Sequence, residues 1–183
     1  TQANPGYLEI VEGSIFDHEL IEKLFNNADL CVNLIGILFE KGKNNFNNIH
    51  VEFPKMISKY SSTFKLEKFV HLSALGIENA KDSIYAQSKL KGEKEILDNF
   101  NRAVIVRPSI VYSVDDNFTT QLMTLLGLLP IFPIYYNGKT KFRPIHCSDL
   151  TNSITKIITD DIRENIIEFV GPEEMSFKDI LEK

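Results

Sequence analysis

The stretch that decides the fold runs from residue 68 to residue 108, KFVHLSALGIENAKDSIYAQSKLKGEKEILDNFNRAVIVRP. Its ends, Lys68 to Ser73 (KFVHLS) and Ala103 to Arg107 (AVIVR), are short and nearly continuous apolar runs. That is the pattern of strands buried on both faces of a parallel sheet. Between them, Ser83 to Phe100 is a charged segment whose apolar members Tyr85, Leu90, Ile96 and Leu97 suit a helix. Parallel strands joined through a helix need a right-handed crossover, so the segment predicts an α/β sheet covered by helices.

The same alternation continues outward. Asp29 to Gly36 (DLCVNLIG) is another buried strand closed by glycine, and a loop rich in Lys, Asn and Gly follows it. Asn47 to Tyr60 suits a helix through Ile49, Val51, Phe53, Met56, Ile57 and Tyr60, with Pro54 expected to cost a hydrogen bond or a bend. Upstream, Leu8 to Glu12 reads as a short strand ending at Gly13. Asp17 can then cap a helix that buries Leu20, Ile21, Leu24 and Phe25. After Pro108 the alternation loosens. A helix is expected near Phe118 to Leu129, strands near Ile131 to Tyr135 and Lys141 to Ile145, a helix over Ser148 to Thr159, a strand over Ile166 to Val170, and a helix started by Ser176 and running to Leu181. Residues 1–183 thus read as a single domain in which 113–183 includes a small substrate-side lobe.

Composition narrows the function classes. Hydrophobic residues at 43% and charged residues at 25% are those of an ordinary soluble chain. A net charge of -5 argues against a nucleic-acid partner, because phosphate binding draws on clustered Lys and Arg. Two cysteines, Cys31 in an apolar run and Cys147 in a polar one, suggest neither a disulfide framework nor a metal site. The longest apolar stretch, Leu125 to Tyr136, is broken by Gly127, Pro130 and Pro133, so no transmembrane segment is expected. It remains a candidate apolar docking surface, compatible with peripheral membrane association. The first residue is Thr1, and the expected start lies upstream.

The chemistry centres on Tyr85 and Lys89, which four-residue spacing places on one helix face. Spacing alone is weak, since a Tyr-x-x-x-Lys arises by chance in roughly half of chains of this composition. Context strengthens it: the pair opens the helix that follows a strand ending in Ser73, and open α/β sheets bind ligands at the carboxyl ends of their strands. In such a triad the ammonium lowers the phenol pKa, tyrosine exchanges a proton near neutrality, and serine orients the reacting oxygen. Blander readings fit the histidines and the paired acids. His71 alternates with Val70 and Leu72 as a packed side chain, His18 reads as a helix-start surface residue, and His50 has no partner in sequence. Asp115 and Asp116 read as turn formers.

Ser73, Tyr85 and Lys89, in this strand and helix order, resemble the Ser-Tyr-Lys triad of the atypical and extended short-chain dehydrogenases/reductases. Within that superfamily the chain is most similar to the family of the nucleotide-binding accessory subunit of respiratory complex I and its bacterial relatives. The residues that carry this are Asn33-Leu34-Ile35-Gly36, Glu67 to Leu75, Tyr85 with Lys89, Gly92-Glu93-Lys94, and Phe169-Val170-Gly171-Pro172. The resemblance implies a Rossmann-like doubly wound parallel sheet whose N-terminal β-α unit, with its Gly-x-x-Gly-x-x-Gly turn, is missing, and a small C-terminal substrate lobe. It implies NADP or NAD as cofactor. The cofactor would be held by Ser14 and Ile15, by Asn33, Leu34, Ile35 and Gly36, by Tyr85 and Lys89, and by Arg107, Pro108, Ser109, Ile110 and Val111.

Ser73, Tyr85 and Lys89 would be catalytic, and Ala74, Arg143 and His146 would face the substrate. The segment Gly13 to Asp17 resembles one that contacts adenine, but carries Ser14 where the family usually has an acid; Ser113 stands where glycine is common after the Arg-Pro stretch. Two function classes follow. One is an NAD(P)-binding accessory or assembly protein of respiratory complex I, partnered by its other subunits. The other is an active NAD(P)-dependent oxidoreductase, epimerase or dehydratase. The implied location is the bacterial cytoplasm or inner-membrane periphery, or the mitochondrial matrix in a eukaryote.

Overall fold

The structure, a computed structural model, describes residues 8–113 and 141–176. Four strands, β1 (Leu30–Asn33), β2 (Lys68–Leu72), β3 (Val104–Pro108) and β7 (Ile166–Phe169), form one sheet in the order β1-β2-β3-β7. Every pairing is parallel, with Leu30 opposite Lys68, Val70 opposite Val104, and Ile105 opposite Ile166. The apolar runs read from the sequence become these strands, and at the central β2 and β3 both faces of the sheet are covered. Phe69, Ala103 and Ile105 pack against Phe25, Phe53, Ile57, Ile96 and Phe100 on one face. Val70, Val104 and Val106 alternate to the other face and meet Ile145, Leu150 and Ile157. Helices therefore lie on both sides, as the sequence predicts.

On the first face sit α1 (His18–Asn26), α2 (Phe53–Thr63) and α3 (Ile84–Asn99); α4 (Cys147–Thr159) covers the second. Asp17 caps α1 by accepting from the Leu20 N–H at 3.1 Å, and Ser83 caps α3 by accepting from the Ala86 N–H at 3.2 Å. Two short ladders lie beyond the sheet. β4 (Val111–Tyr112) pairs in parallel with β6 (Ile145–His146), and β5 (Lys141–Phe142) pairs antiparallel with β8 (Met175–Ser176).

Three expectations need correction. Leu8 to Glu12 is not a strand; Leu8 and Ile10 are 82% exposed. A strand exists through its ladder, and among the described residues β1 pairs only with β2, so nothing there offers that segment a partner. The helix over Asn47 to Tyr60 is two elements: a π-helical turn (Asn47–Glu52) and then α2. Pro54 therefore falls in the first turn of α2, where its missing N–H costs nothing. The strand Lys141 to Ile145 is split into β5 and β6 around Arg143 and Pro144, because proline cannot donate to a ladder. Ser176, from which a helix is expected to start, lies in β8. The rest of that helix, the elements expected over 118–135, the apolar run 125–136 and the acids Asp115 and Asp116 lie outside the described residues.

Candidate functional site

The first face of the sheet changes character toward the carboxyl ends of its strands. Phe69 and Ile105 give way, two residues on, to His71 and Arg107, and Asn33 stands opposite His71 in the ladder. The helix covering this row changes with it. The inner side of α3 buries Ile96 toward its end, then Glu93, Gly92, Lys89, Ser88 and Ala86 toward its start. Apolar meets apolar at one end, and polar meets polar over the strand ends.

Asn33 shapes the turn after β1. Its Oδ1 accepts from the Ile35 N–H at 3.1 Å, so its Nδ2 donates to His71 Nδ1 at 2.9 Å. His71 is thus fixed as the neutral Nε2–H tautomer, and burial followed by the nearby Lys89 charge holds it well below the usual histidine range. The expectation of a packed histidine holds. Gly36, in the same turn, lies against both His50 Nε2 and Lys89 Nζ; each is 3.8 Å from where a Cβ on Gly36 would sit.

Lys89 is 4% exposed and its Nζ donates to the Leu72 carbonyl at 3.0 Å, immediately before Ser73. Burial pulls its pKa down to about 8, with Glu93 partly opposing. The Ser73 main-chain N–H donates to Val106 O at 2.7 Å, which ties this residue to the sheet. Its hydroxyl is the exception: among the described residues, Ser73 Oγ is the one buried side-chain oxygen or nitrogen with no hydrogen-bond partner. Such an atom is costly to leave alone, and it fits a group that a bound ligand would satisfy.

Tyr85 lies one turn before Lys89, half-buried, with its ring edge-on to His50 at 5.3 Å and to Phe46 at 5.8 Å. Its hydroxyl makes no hydrogen bond among the described residues. Burial pushes the phenol up, so the expected lowering by Lys89 is not present in this state. The Lys89 ammonium is drawn toward Leu72 O, and desolvation decides the phenol's affinity for its proton.

The remaining predicted residues divide. Arg107 is occupied: Nε and Nη2 donate to the two Glu93 carboxylate oxygens at 3.1 and 2.7 Å, and Nη1 to Glu78 at 3.2 Å. These bonds tie α3 to the sheet through the buried Glu93 carboxylate. Pro108 and Ser109 are spent on the sheet, Ser109 donating its N–H to Phe169 O at 2.8 Å. Ile110 O accepts from the Ile145 N–H at 2.8 Å, and Val111 pairs with Ile145. Ala74 is half-buried beside Ser73.

Arg143 donates to the Pro172 carbonyl at 3.0 Å, and His146 caps α4 by accepting from the Ser148 N–H at 3.2 Å while packing edge-on to Tyr112. Among the described residues neither hydrogen-bonds to Ser73, Tyr85 or Lys89. Ser14 accepts from the Phe16 N–H at 3.1 Å, and Ile15 lines a cavity of about 490 Å³ with His18, Glu52, Met56 and Tyr60. Leu34 and Ile35 are exposed beside Gly36.

His50 is the residue the sequence did not reveal. It is 1% exposed, stacked on Phe46 with ring centroids 5.3 Å apart, and burial then Lys89 lower its pKa to about 4. Its partners stand 13 and 38 residues away, so no local pattern marks it. Both His50 and His71 bind a proton more weakly in the folded chain than near pH 6.5 in the unfolded one. The unfolded state therefore takes up more protons as pH falls from 6.5 toward 4, and folding stability drops through that window. Urea titrations of the full-length protein at intervals from pH 7 to pH 4.5 should show this loss, and His50→Phe should shallow it; a midpoint flat across the range contradicts the buried neutral pair.

No family model matches the chain. In sequence it is 28% identical, over 91% of its length, to the mitochondrial NADH dehydrogenase [ubiquinone] 1 alpha subcomplex subunit 9 of Mus musculus, of which it spans 45%. It is 23% identical over 78% of its length to a ceramide reductase of Caulobacter vibrioides, of which it spans 44%. In structure it matches a UDP-glucuronic acid 4-epimerase from Bacillus cereus, crystallised with NAD, at a TM-score of 0.72 and 22% identity, covering 94% of this chain and 63% of that one. The fold is Rossmann-like. The chain thus spans about half the length of the curated relatives it matches, and in this Rossmann-like sheet the candidate residues Asn33, Ser73 and Lys89 gather at the carboxyl ends of β1 and β2. Among the described residues no helix is long and apolar enough to cross a membrane, and no cluster of His, Cys, Asp or Glu could hold a metal.

Proposed function

We propose that this chain is part of an NAD(P)-binding protein of the short-chain dehydrogenase/reductase type that serves as an accessory or assembly factor of respiratory complex I. The observation that carries the reading is the buried, unpartnered Ser73 hydroxyl beside the buried Lys89 ammonium at the ends of parallel strands, where open α/β sheets take their ligands. One hydrogen bond to Leu72 leaves Lys89 donors for the hydroxyls of a ribose, and the Asn33-to-Gly36 turn lies against the same ammonium. A bound dinucleotide would supply hydride chemistry; the chain's own residues bind and orient it. The sequence relation to the alpha subcomplex subunit supports the accessory role, with a site at a peripheral position in the mitochondrial matrix or at the bacterial inner membrane.

The test is a titration of the nucleotide-stripped full-length protein with NADPH and NADH. Lys89→Met is expected to weaken the preferred one about tenfold or more, through loss of charged hydrogen bonds to the nucleotide. Binding unchanged in Lys89→Met sinks the placement of the cofactor.

A second reading is favoured by the presence of all three members of the triad and by the reductase among the relatives. In it the protein turns over as an oxidoreductase, epimerase or dehydratase, with Tyr85 as acid/base, Lys89 holding ribose and Ser73 polarising the reacting oxygen. Tyr85→Phe separates the two: an enzyme loses activity while keeping its cofactor, whereas an accessory protein shows no reaction to lose.

A further inference from the structure

The geometry points to His50 as a positioning residue, whose ring ties the Gly36–Ile37 turn to the first turn of α3 and so fixes the space in which Lys89 and Tyr85 meet a nucleotide. The hydrogen bonds run in one direction. The Ile37 N–H donates to His50 Nε2 at 3.1 Å, which requires the ring to carry its proton on Nδ1. Nδ1 then donates to Ser88 Oγ at 2.8 Å, and the Ser88 hydroxyl donates to the Tyr85 carbonyl at 2.7 Å. Each donor hydrogen along this path has an acceptor. The ring is also clamped between Phe46, stacked at 5.3 Å, and the edge of Tyr85 at 5.3 Å.

The backbone beneath the ring is held as firmly. His50 lies in the π-helical turn, and its carbonyl oxygen would be 1.8 Å from a Cβ on Gly92, so α3 rests directly on that peptide. The His50 side chain is therefore carried at a fixed height over α3, within reach of the turn. Without it, the turn after β1 has one contact fewer with the helix that bears Tyr85 and Lys89. The assignment rests on the dinucleotide reading for its functional meaning, since His50 acts through Gly36, Tyr85 and Lys89 and itself needs to touch no ligand.

The test uses the full-length protein with His50→Phe, which keeps an aromatic ring against Phe46 and Tyr85 but neither hydrogen bond. Amide hydrogen exchange at Ile37 is expected to speed up about tenfold or more, and NADPH affinity to fall about tenfold, as two buried hydrogen bonds are lost. His50→Gln, which can accept from Ile37 and donate to Ser88, should restore most of both; a role in packing alone would be served by Phe and not by Gln. Unchanged Ile37 exchange in His50→Phe overturns the assignment, as does a folded His50→Phe protein that binds NADPH like the unsubstituted one. Should His50→Phe fail to fold, His50→Gln decides: retained Ile37 protection and affinity support the tie, and loss of either overturns it. If the unsubstituted protein takes up neither NADPH nor NADH, the cofactor reading falls, and Ile37 exchange alone decides whether His50 holds the turn.

Discussion

Gly92→Ala is expected to destabilise the full-length protein by about 3 kcal/mol or more, against the usual sign for glycine in a helix. In an exposed helix interior the same change would stabilise by about 0.5–1 kcal/mol, because alanine loses less backbone freedom on folding. Here the added methyl would lie 1.8 Å from the His50 carbonyl oxygen and 3.0 Å from its carbon. Both atoms are backbone, so no side chain can swing aside. Either α3 lifts from the π-helical turn, opening the packing of Ile96 and Ile57, or the turn deforms and loses the His50 bonds. Chemical denaturation reads the result, with Lys91→Ala, an exposed neighbour on α3, as the control expected to change little. A Gly92→Ala protein as stable as the parent would mean that the helix and the turn do not touch.

The second large effect is expected at Arg107. Arg107→Met should cost about 3–5 kcal/mol, because it strands the Glu93 carboxylate, only 4% exposed, without its cation. Glu93→Gln should cost less, since Arg107 keeps Glu78 at 3.2 Å and Glu168 at 3.8 Å. The double variant Arg107→Met/Glu93→Leu should recover much of the loss, as buried ion pairs replaced by apolar residues of similar volume are often neutral. Arg107→Met, Glu93→Leu and their double variant, unfolded in urea, close a double-mutant cycle that measures the coupling. Additive losses would show that the pair is not buried as a unit. In the structure Arg107 ties β3 to α3 and to Glu78, and nucleotide titration of Arg107→Met tests separately the cofactor contact that the resemblance implies for it.

The contrast at Arg107 shows where sequence reading works and where it stops. The central strands β2 and β3 were legible because a strand covered on both faces is apolar at nearly every position, a purely local pattern; β1 and β7 at the edges are apolar runs too, although Leu30 and Ile166 stay exposed. The caps at Asp17 and Ser83 were legible for a similar reason, since each side chain bonds an N–H three residues on. Leu8 to Glu12 failed because alternation describes a strand's faces and says nothing about its edges. Ser73, Tyr85 and Lys89 were singled out from order and spacing, and in the structure Lys89 bonds the Leu72 carbonyl, one residue before Ser73, with Tyr85 one helical turn away. What spacing did not carry was the state of the phenol, which desolvation decides, or the Glu93 carboxylate, whose demand for Arg107 depends on a packed helix. His50 and the π-helical turn were equally hidden. Both depend on the close approach at Gly92, a contact between backbones some forty positions apart.

The central claim is that a dinucleotide lies over the carboxyl ends of β1 and β2, against the turn after β1, Ser73 and Lys89. Amide hydrogen exchange of the full-length protein, with and without saturating NADPH or NADH, tests it most directly. The account predicts ligand-dependent slowing concentrated in residues 33–37 and 72–75 and in the first turns of α3. Slowing confined to other elements, with these three segments exchanging as before, would contradict it.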